Sequence, residues 1–542
     1  MSAAKRNAPA GGAARGEGDE HGDVLRHKHS TRPAIRVQDG QMHEILDQVD
    51  RVLGQMQSPI IFRKGSALIA VTDTDRRLGL ETRQTAPATL LLTTAATKDR
   101  LTRAAAWEKW DQRAQHYKPI DCPTSHAQGF RERGEYRYVP EVTALTECPV
   151  VLSSGRVIHQ GGYDRHTGIY VARAPRGGYR IGGDDRADAE RALEVLTDLL
   201  AEFPFASDAD RAAAIAGIMT PVAAPAIPAC PLHLATAEAP GAGKSTVWDV
   251  AAILATGRPM PVISWPADAA EQEKRLHGVL LAGDPLASAD NLERPLAGES
   301  LCQATTQPVM TVRALGASTM FQVPARVALY ATGNNAVVRG DMTRRTVLTR
   351  LSTGVERPER RAFRRDILEH VRRHRDELLM HLTAIPRAYL ADGQPEVGLA
   401  PYNSFGEWDL LVRRPLVWLG LPDPLEPSEA LRADDPDRQD HRALLKAWHA
   451  HFGSEPQTAA EVIRAATETY PRMDGTTADD APDLADAVTA VCTTGRGPKL
   501  DGRTLGFALR RYVDRIESGL RLERAGTDRT NTGRWQVREV GA

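Results

Sequence analysis

Cysteine is scarce in this chain and never clustered. Cys122, Cys148, Cys230, Cys302 and Cys492 stand alone, with no C-x-x-C pair and no Cys/His group at the spacing of a structural zinc, so neither a disulfide framework nor a zinc finger is expected. Aromatic residues make up only 5% of the 542, which leaves packing mostly to aliphatic side chains, yet 42% hydrophobic and 26% charged residues is ordinary globular composition. Net charge is nearly absent too: a formal -1 argues against a uniformly basic nucleic-acid coat and leaves local patches open. No run of about 18 apolar residues occurs, and the start, MSAAKRNAPAGGAARGEGDEHGD, lacks the apolar stretch of a signal peptide. A soluble, cytoplasmic protein with no membrane partner is expected, and at ~150 residues per domain its length predicts several domains.

What is present falls into five segments. Residues 1–38 are rich in Ala, Gly, Arg and charge, too poor in large apolar side chains to offset ordering, and are expected to be a disordered tail. The His27-Lys28-His29 cluster within it reads as a solvated polar run rather than a site. Residues 39–185 predict an α+β module: helical HEILDQVDRVLGQM, strand-like SPIIFRKGSALIAVTD, helical LTRAAAWEKWDQRAQHY, then short strands around a GGYDRHTG turn. Residues 186–424 hold further helices, ADAERALEVLTDLLAEF and RAAAIAGIMTPV before a central motif and EHVRRHRDELLMHLTAIPRAYLA after it. Proline and charge in LEPSEALRADDPDRQDH mark residues 425–441 as a linker, beyond which 442–542 should form a separate domain.

The central motif is Ala239-Pro240-Gly241-Ala242-Gly243-Lys244-Ser245-Thr246. LHLATA before it is apolar enough for a buried strand, and STVWDVAAILATG after it reads as a helix stopped by Gly257, the strand-loop-helix context that a phosphate-binding loop requires. Gly241 and Gly243 let the backbone turn its N–H groups onto phosphates, Lys244 reaches the outer phosphates, and Ser245 stands at the helix N-terminus where a magnesium ligand belongs, with Thr246 beside it. Glu238 occupies the position of the first glycine of the usual pattern, so the match rests on context as well as on the tripeptide. ATP with Mg2+ is the cofactor pair this motif predicts.

In order after this loop come GDPLASADN ending at 291, Arg-Ala-Leu-Gly at 313–316, VALYATGNN ending at Asn335 and GDMTRR at 340–345. That series resembles the AAA+ ATPase domains of phage- and mobile-element-encoded primase-helicases and replication initiators, related to superfamily-three and minichromosome-maintenance-like helicases. The likeness extends through GGYDRHTG, FPF and SFGEWDLLVRRPLVWLGLPDP at 404–424, and covers most of residues 40–540. It implies an α/β fold: a P-loop core of parallel sheet flanked by helices, an N-terminal α+β module and a C-terminal winged helix. It also implies roles. Asp290 would hold magnesium through water opposite Ser245, and Asn334, with Asn335 as neighbour or substitute, would sense the γ-phosphate or the attacking water. Arg344 and Arg345 would stand where an arginine finger reaches into the next subunit of a ring, a hexamer in this class. Most such motors carry Asp-Glu where this chain has Asp290-Asn291, and an amide cannot accept the proton of the attacking water. Glu293 or Glu238 would have to substitute, or hydrolysis would be slow.

Two segments bear on nucleic acid. ERPERRAFRRDILEHVRRHR at 356–375 is dense in arginine but laced with acids, equally compatible with a basic face and a salt-bridged surface. At the C-terminus, helical TAAEVIRAATETY and LADAVTAVC precede GRTLGFALRRYVDRIESG and two short strands, the plan of the winged helix that the resemblance implies. Arg510, Arg511 and Arg515 are then expected on the recognition helix and Arg524, Arg529 and Arg534 on or near the wing, as phosphate contacts. No acidic cluster fit for polymerising metals is evident, so priming would come from another chain. The expectation is an ATP-dependent DNA helicase or translocase, with an ATP-switched initiator or loader, or an antiviral or regulatory ATPase, as the alternatives.

Overall fold

The computed structural model describes residues 32–77, 83–313, 320–354, 364–433, 435–471, 477–479, 481–494 and 497–540. The His27-Lys28-His29 cluster, the residues following Arg313 in Arg-Ala-Leu-Gly, and ERPERRAF lie outside them. The protein is mixed α/β around a sheet of five parallel strands: β1 (Leu232–Ala237), β2 (Val262–Ile263), β3 (Leu286–Leu292), β4 (Ala328–Asn334) and β5 (Thr346–Leu351). Their spatial order is β2-β3-β4-β1-β5. The longer strands are covered on both faces, which is why LHLATA and ALYATGN read as continuous small and apolar runs.

One face of the sheet packs on α1 (Lys244–Thr256), the helix Asp208–Met219 and the pair Ile367–Arg373 and Arg375–Ala391; the other packs on α2 (Ala269–Ala282) and α3 (Glu299–Thr306). A buried polar knot fixes the first face. Trp248 of α1 donates its indole N–H to Ala331 O of β4 at 3.0 Å, and Tyr330 Oη donates to Gly217 O at 2.9 Å. His233 of β1 stacks on Tyr330 and lies 2.8 Å from Thr220 Oγ1, which also accepts from Trp408. Burial holds the His233 imidazole neutral, its pKa pushed down to about 3.

The N-terminal region departs from expectation at both ends. Ala34–Val37, placed by composition in the tail, is a strand, and it pairs in parallel with Ala106–Asp111. The helix expected through LTRAAAWEKWDQRAQHY stops at Ala104; the rest is the hairpin Ala106–Asp111 and His116–Ile120. Trp107 explains the break, because its ring is buried and its indole N–H donates to Leu101 O at 2.8 Å, turning the chain back across the helix end. The GGYDRHTG segment is a hairpin turn, with Asp164 accepting from Thr167 N at 2.9 Å. Ala144, Val150, Val151, Ile169 and Val171 join the apolar cluster of the central sheet, whereas Val142, Tyr163 and Tyr170 pack on Phe62 and Ile69, so residues 142–171 are shared between the module and the central sheet. The module docks through a buried lysine: Lys64 Nζ donates to Leu280 O at the C-terminal end of α2, and Thr89 Oγ1 to Leu281 O.

The expected linker at 425–441 is two helices, Glu426–Ala433 and the start of Pro436–Phe452. Asp435 caps the second through Asp437 N at 3.1 Å with Pro436 in the first turn, so the proline and acids are helix-start signals. The C-terminal domain then runs through the short strand Gln457–Thr458, helices Ala459–Thr467, Pro482–Val491 and Gly502–Tyr512, and the hairpin Leu520–Thr527 and Gly533–Glu539. Gln457–Thr458 adds antiparallel to the hairpin's outer strand, giving a sheet edge against the helices.

Candidate functional site

The glycine-rich loop 239–243 leaves the end of β1 and enters α1 with Gly241 at φ 81° and Gly243 at φ 95°, conformations a side chain resists. A Cβ on Gly243 would also come within 3.2 Å of the Phe203 ring. Pro240, Ala242 and the first-turn residues Lys244, Ser245 and Thr246 complete a concave turn whose free N–H groups and helix dipole favour an anion.

Strand order brings the rest of the site to this loop. β4 lies between β1 and β3, so the C-terminal ends of all three strands meet beside the loop. Lys244 Nζ donates to Asn334 Oδ1 at 2.7 Å and to Ala239 O at 3.2 Å, and Ser245 Oγ donates to Asp290 Oδ1 at 3.0 Å. Partial burial lowers the Lys244 pKa from its ordinary value, and the Asp290 charge works against that shift. Asn335 lies beyond the strand at φ 45°, its backbone N–H bound to Ala237 O at 3.0 Å.

Thr332, which no motif in the sequence singles out, holds this end of the sheet together. The β3–β4 register shifts between Ala289 and Leu292, so Asp290 and Asn291 together face Thr332 in a bulge, with Asn291 at φ 54°. Thr332 Oγ1 donates to Asp290 Oδ1 and accepts from Asn291 N at 3.0 Å, and the residue is 2% exposed. The bulge turns the Asp290 carboxylate toward Ser245 and leaves Asn291 exposed. Glu238 and Glu293 are exposed at the ends of β1 and β3, and Glu238 borders a cavity of about 510 Å³ with Asn335 and Arg350.

The loop, the partly buried amine and the paired Ser245 and Asp290 oxygens fit a magnesium-bound nucleotide phosphate. Among the described residues no group of three or more His, Cys, Asp or Glu side chains could cage a metal. A hydroxyl with one carboxylate suits an ion that keeps much of its water and borrows phosphate oxygens.

Arg344 and Arg345 lie elsewhere. They end the turn Gly340–Arg344 and enter β5 at the end of the strands opposite the loop, where Leu232 N donates to Arg345 O at 2.9 Å. The length of β1 separates them from Lys244 by roughly 17 Å at ~3.3 Å per residue. Asp341 binds both, to Arg344 Nε at 2.5 Å and Arg345 Nη2 at 2.6 Å, and its hydrogen bond to Arg344 leads the causes holding its carboxyl down at about 2. Arg344 is 54% exposed in its side chain and Arg345 12%, so Arg344 is the one free to reach outward.

The C-terminal arginines are only partly as expected. Arg510 and Arg511 lie on the helix Gly502–Tyr512, but Arg515 falls beyond its end in the turn before the hairpin, because the helix closes at Val513. Arg511 pairs with Asp437 at 3.1 Å, and Arg534 approaches Glu461 at 3.9 Å. Arg524 stacks over Trp535 at 5.3 Å, while Arg529 stands exposed in the hairpin turn. Among the described residues of the other basic segment, Arg372 and Arg373 pair with Glu369 and Arg365 with Asp198.

No family model matches the chain, and no curated protein matches it. Among solved structures it is similar to the NrS-1 C-terminal region in its apo A form, with TM-score 0.34 and 11% identity over 66% of this chain and 79% of that one. A second structure of that region gives 0.35 and 11% over 83% and 100%. The SCCmec type IV Cch active helicase gives 0.36 and 10% over 90% and 98%. Among the described residues no helix is long and apolar enough to cross a membrane.

Proposed function

We propose that the chain is a P-loop ATPase of AAA+ type that acts on DNA as a helicase or translocase, in replication of a phage, plasmid or integrated element. The observation that carries the ATPase is the convergence of Lys244, Ser245, Asp290 and Asn334 on one glycine-rich loop from three adjacent strand ends. Each residue then has a task. The loop N–H groups and Lys244 bind the phosphate chain, and Asn334, now bonded to Lys244, orients the terminal phosphate or the water that attacks it. Magnesium, when bound with ATP, supplies positive charge to the outer phosphates, and Ser245 and Asp290 are the groups that would hold it. The replication context rests on the ordered motif series, and DNA binding on a C-terminal domain with winged-helix element order.

The position of Arg344 supports a homo-oligomeric ring as part of this reading. Lying toward the N-terminal end of β5, away from its own loop at the C-terminal end of β1, Arg344 would serve a neighbouring copy. A separate chain would supply any primase.

One observation favours a second reading, an ATP-switched initiator or loader with slow turnover. Asn291 takes the place of a carboxylate base, and its backbone N–H is engaged by Thr332. Hydrolysis by the purified protein, with and without single-stranded DNA and beside Lys244→Ala, separates the two. DNA-stimulated turnover lost in the variant supports the motor; ATP binding and nucleotide-dependent assembly without turnover supports the switch.

A further inference from the structure

The helix Gly502–Tyr512, GRTLGFALRRY, carries arginines and no carboxylate. Its inner face is conventional: Leu505, Leu509 and Tyr512 are buried with Trp448 and Val537. The outer face is not, because Phe507 stands there 61% exposed, flanked by exposed Arg503 and Arg510 at helical spacings of four and three. The Arg510 guanidinium lies 4.6 Å from the centre of the Phe507 ring, and neither Arg503 nor Arg510 is ion-paired among the described residues. Beside the ring opens a cleft of about 640 Å³, bordered also by Arg339, Asp440, Thr493 and Thr504, large enough for a flat heterocycle with polar groups at its edges.

The geometry points to Phe507 as a base-stacking residue for single-stranded DNA, with Arg503 and Arg510 on the flanking phosphates. This rests on the reading of the C-terminal domain as DNA-binding, and specifies the strand form it takes. Paired bases in a duplex show a groove only their edges, which hydrogen-bonding side chains read, whereas a phenyl ring offers a face and needs a face in return. Unpaired bases present that face, and an aromatic platform beside free cations is how single strands are held without regard to sequence. Arg510 over the same ring keeps a cation within reach of the phosphate next to a stacked base.

Anisotropy with the full chain tests this, using a fluorescein-labelled oligothymidylate and a blunt duplex of equal length. Phe507→Leu keeps an apolar group at an exposed position and removes the stacking face. It should weaken oligothymidylate binding roughly ten- to hundredfold while leaving duplex binding within about threefold, and Phe507→Trp should restore the single-strand affinity. Arg503→Ala with Arg510→Ala should weaken both probes and flatten the salt dependence by about one unit of log–log slope per arginine. Equal oligothymidylate affinity for wild type and Phe507→Leu overturns the stacking role, as does an equal loss on both probes. If the double arginine variant also binds as wild type does, the DNA-binding reading of this helix falls with it. A change in oligomer mass for Phe507→Leu with unaltered DNA affinity would make the ring a subunit contact and overturn the proposal.

Discussion

Thr332→Val removes one hydroxyl from the centre of the candidate site and almost nothing else. The side chains have the same shape, so no cavity opens. What is lost is the donor to the Asp290 carboxylate and the acceptor for Asn291 N–H, at a residue 2% exposed. A hydrogen bond to a charged group contributes about 1.5–3 kcal/mol, so the unfolding transition of the central domain should fall by roughly 3–12 °C. Function should suffer more specifically. Groups that orient a metal-holding carboxylate typically carry 10–100-fold in metal affinity or activity, so the magnesium concentration for half-maximal ATP hydrolysis should rise by about that factor. Thr332→Ser, which keeps the hydroxyl, should lie close to wild type in that assay. Steady-state hydrolysis across a magnesium titration decides the matter. A Val variant that matches wild type in both magnesium requirement and rate would refute the role given to Thr332 and to the bulge it holds.

Arg344→Ala and Lys244→Ala should each abolish turnover alone, yet mixing the two proteins should restore a fraction of it, because a mixed ring contains interfaces where an intact loop meets an intact finger; hydrolysis that stays absent in the mixture counts against action in trans. Lys64 gives a pH prediction. Burial lowers its pKa to about 8, partly offset by Asp284, whereas the unfolded chain keeps the proton to about 10.4. Between those values the unfolded state binds more protons, so stability rises with pH, by about 3 kcal/mol over the window. Thermal melts from pH 8 to 10 should show that rise in wild type and a flatter profile in Lys64→Met; parallel profiles would contradict it.

The glycine-rich loop was legible because its determinants are contiguous. An apolar strand, glycines that reach positive φ, and a helix closed by Gly257 at φ 75° all lie within one stretch of chain. The hairpin Ala106–Asp111 and His116–Ile120 was not, because what makes it strand is the parallel partner Ala34–Val37, some seventy residues earlier and inside a segment whose composition suggested no structure. Residues 425–441 misled differently. Pro436 and the acids around it are as common in a first helical turn as in a linker, and only burial of Leu431 and the bond from Leu348 N to Ser428 Oγ at 2.9 Å tie the segment to the edge of β5.

The limits on reading the site follow from the same distinction between local and cross-strand information. Asn334 and Asp290 can be proposed from motif order, but the reason they meet Lys244 and Ser245 is that β4 sits between β1 and β3, a fact of sheet order. Thr332 is further removed, since its role depends on a register shift that sets two residues of β3 against one of β4. The arginines show the converse. The winged-helix plan that the resemblance implies marks Arg511 and Arg534 as phosphate contacts, yet the carboxylates that engage them, Asp437 and Glu461, come from other helices and are invisible to that plan. Charge pattern alone therefore overcounts free cations in a chain that is 26% charged and nearly neutral. An exposed aromatic on an acid-free helix survives that correction, because an ion pair can silence an arginine but does nothing to hide a ring, and this makes Phe507 a sharper guide to the proposed DNA face than any single arginine beside it.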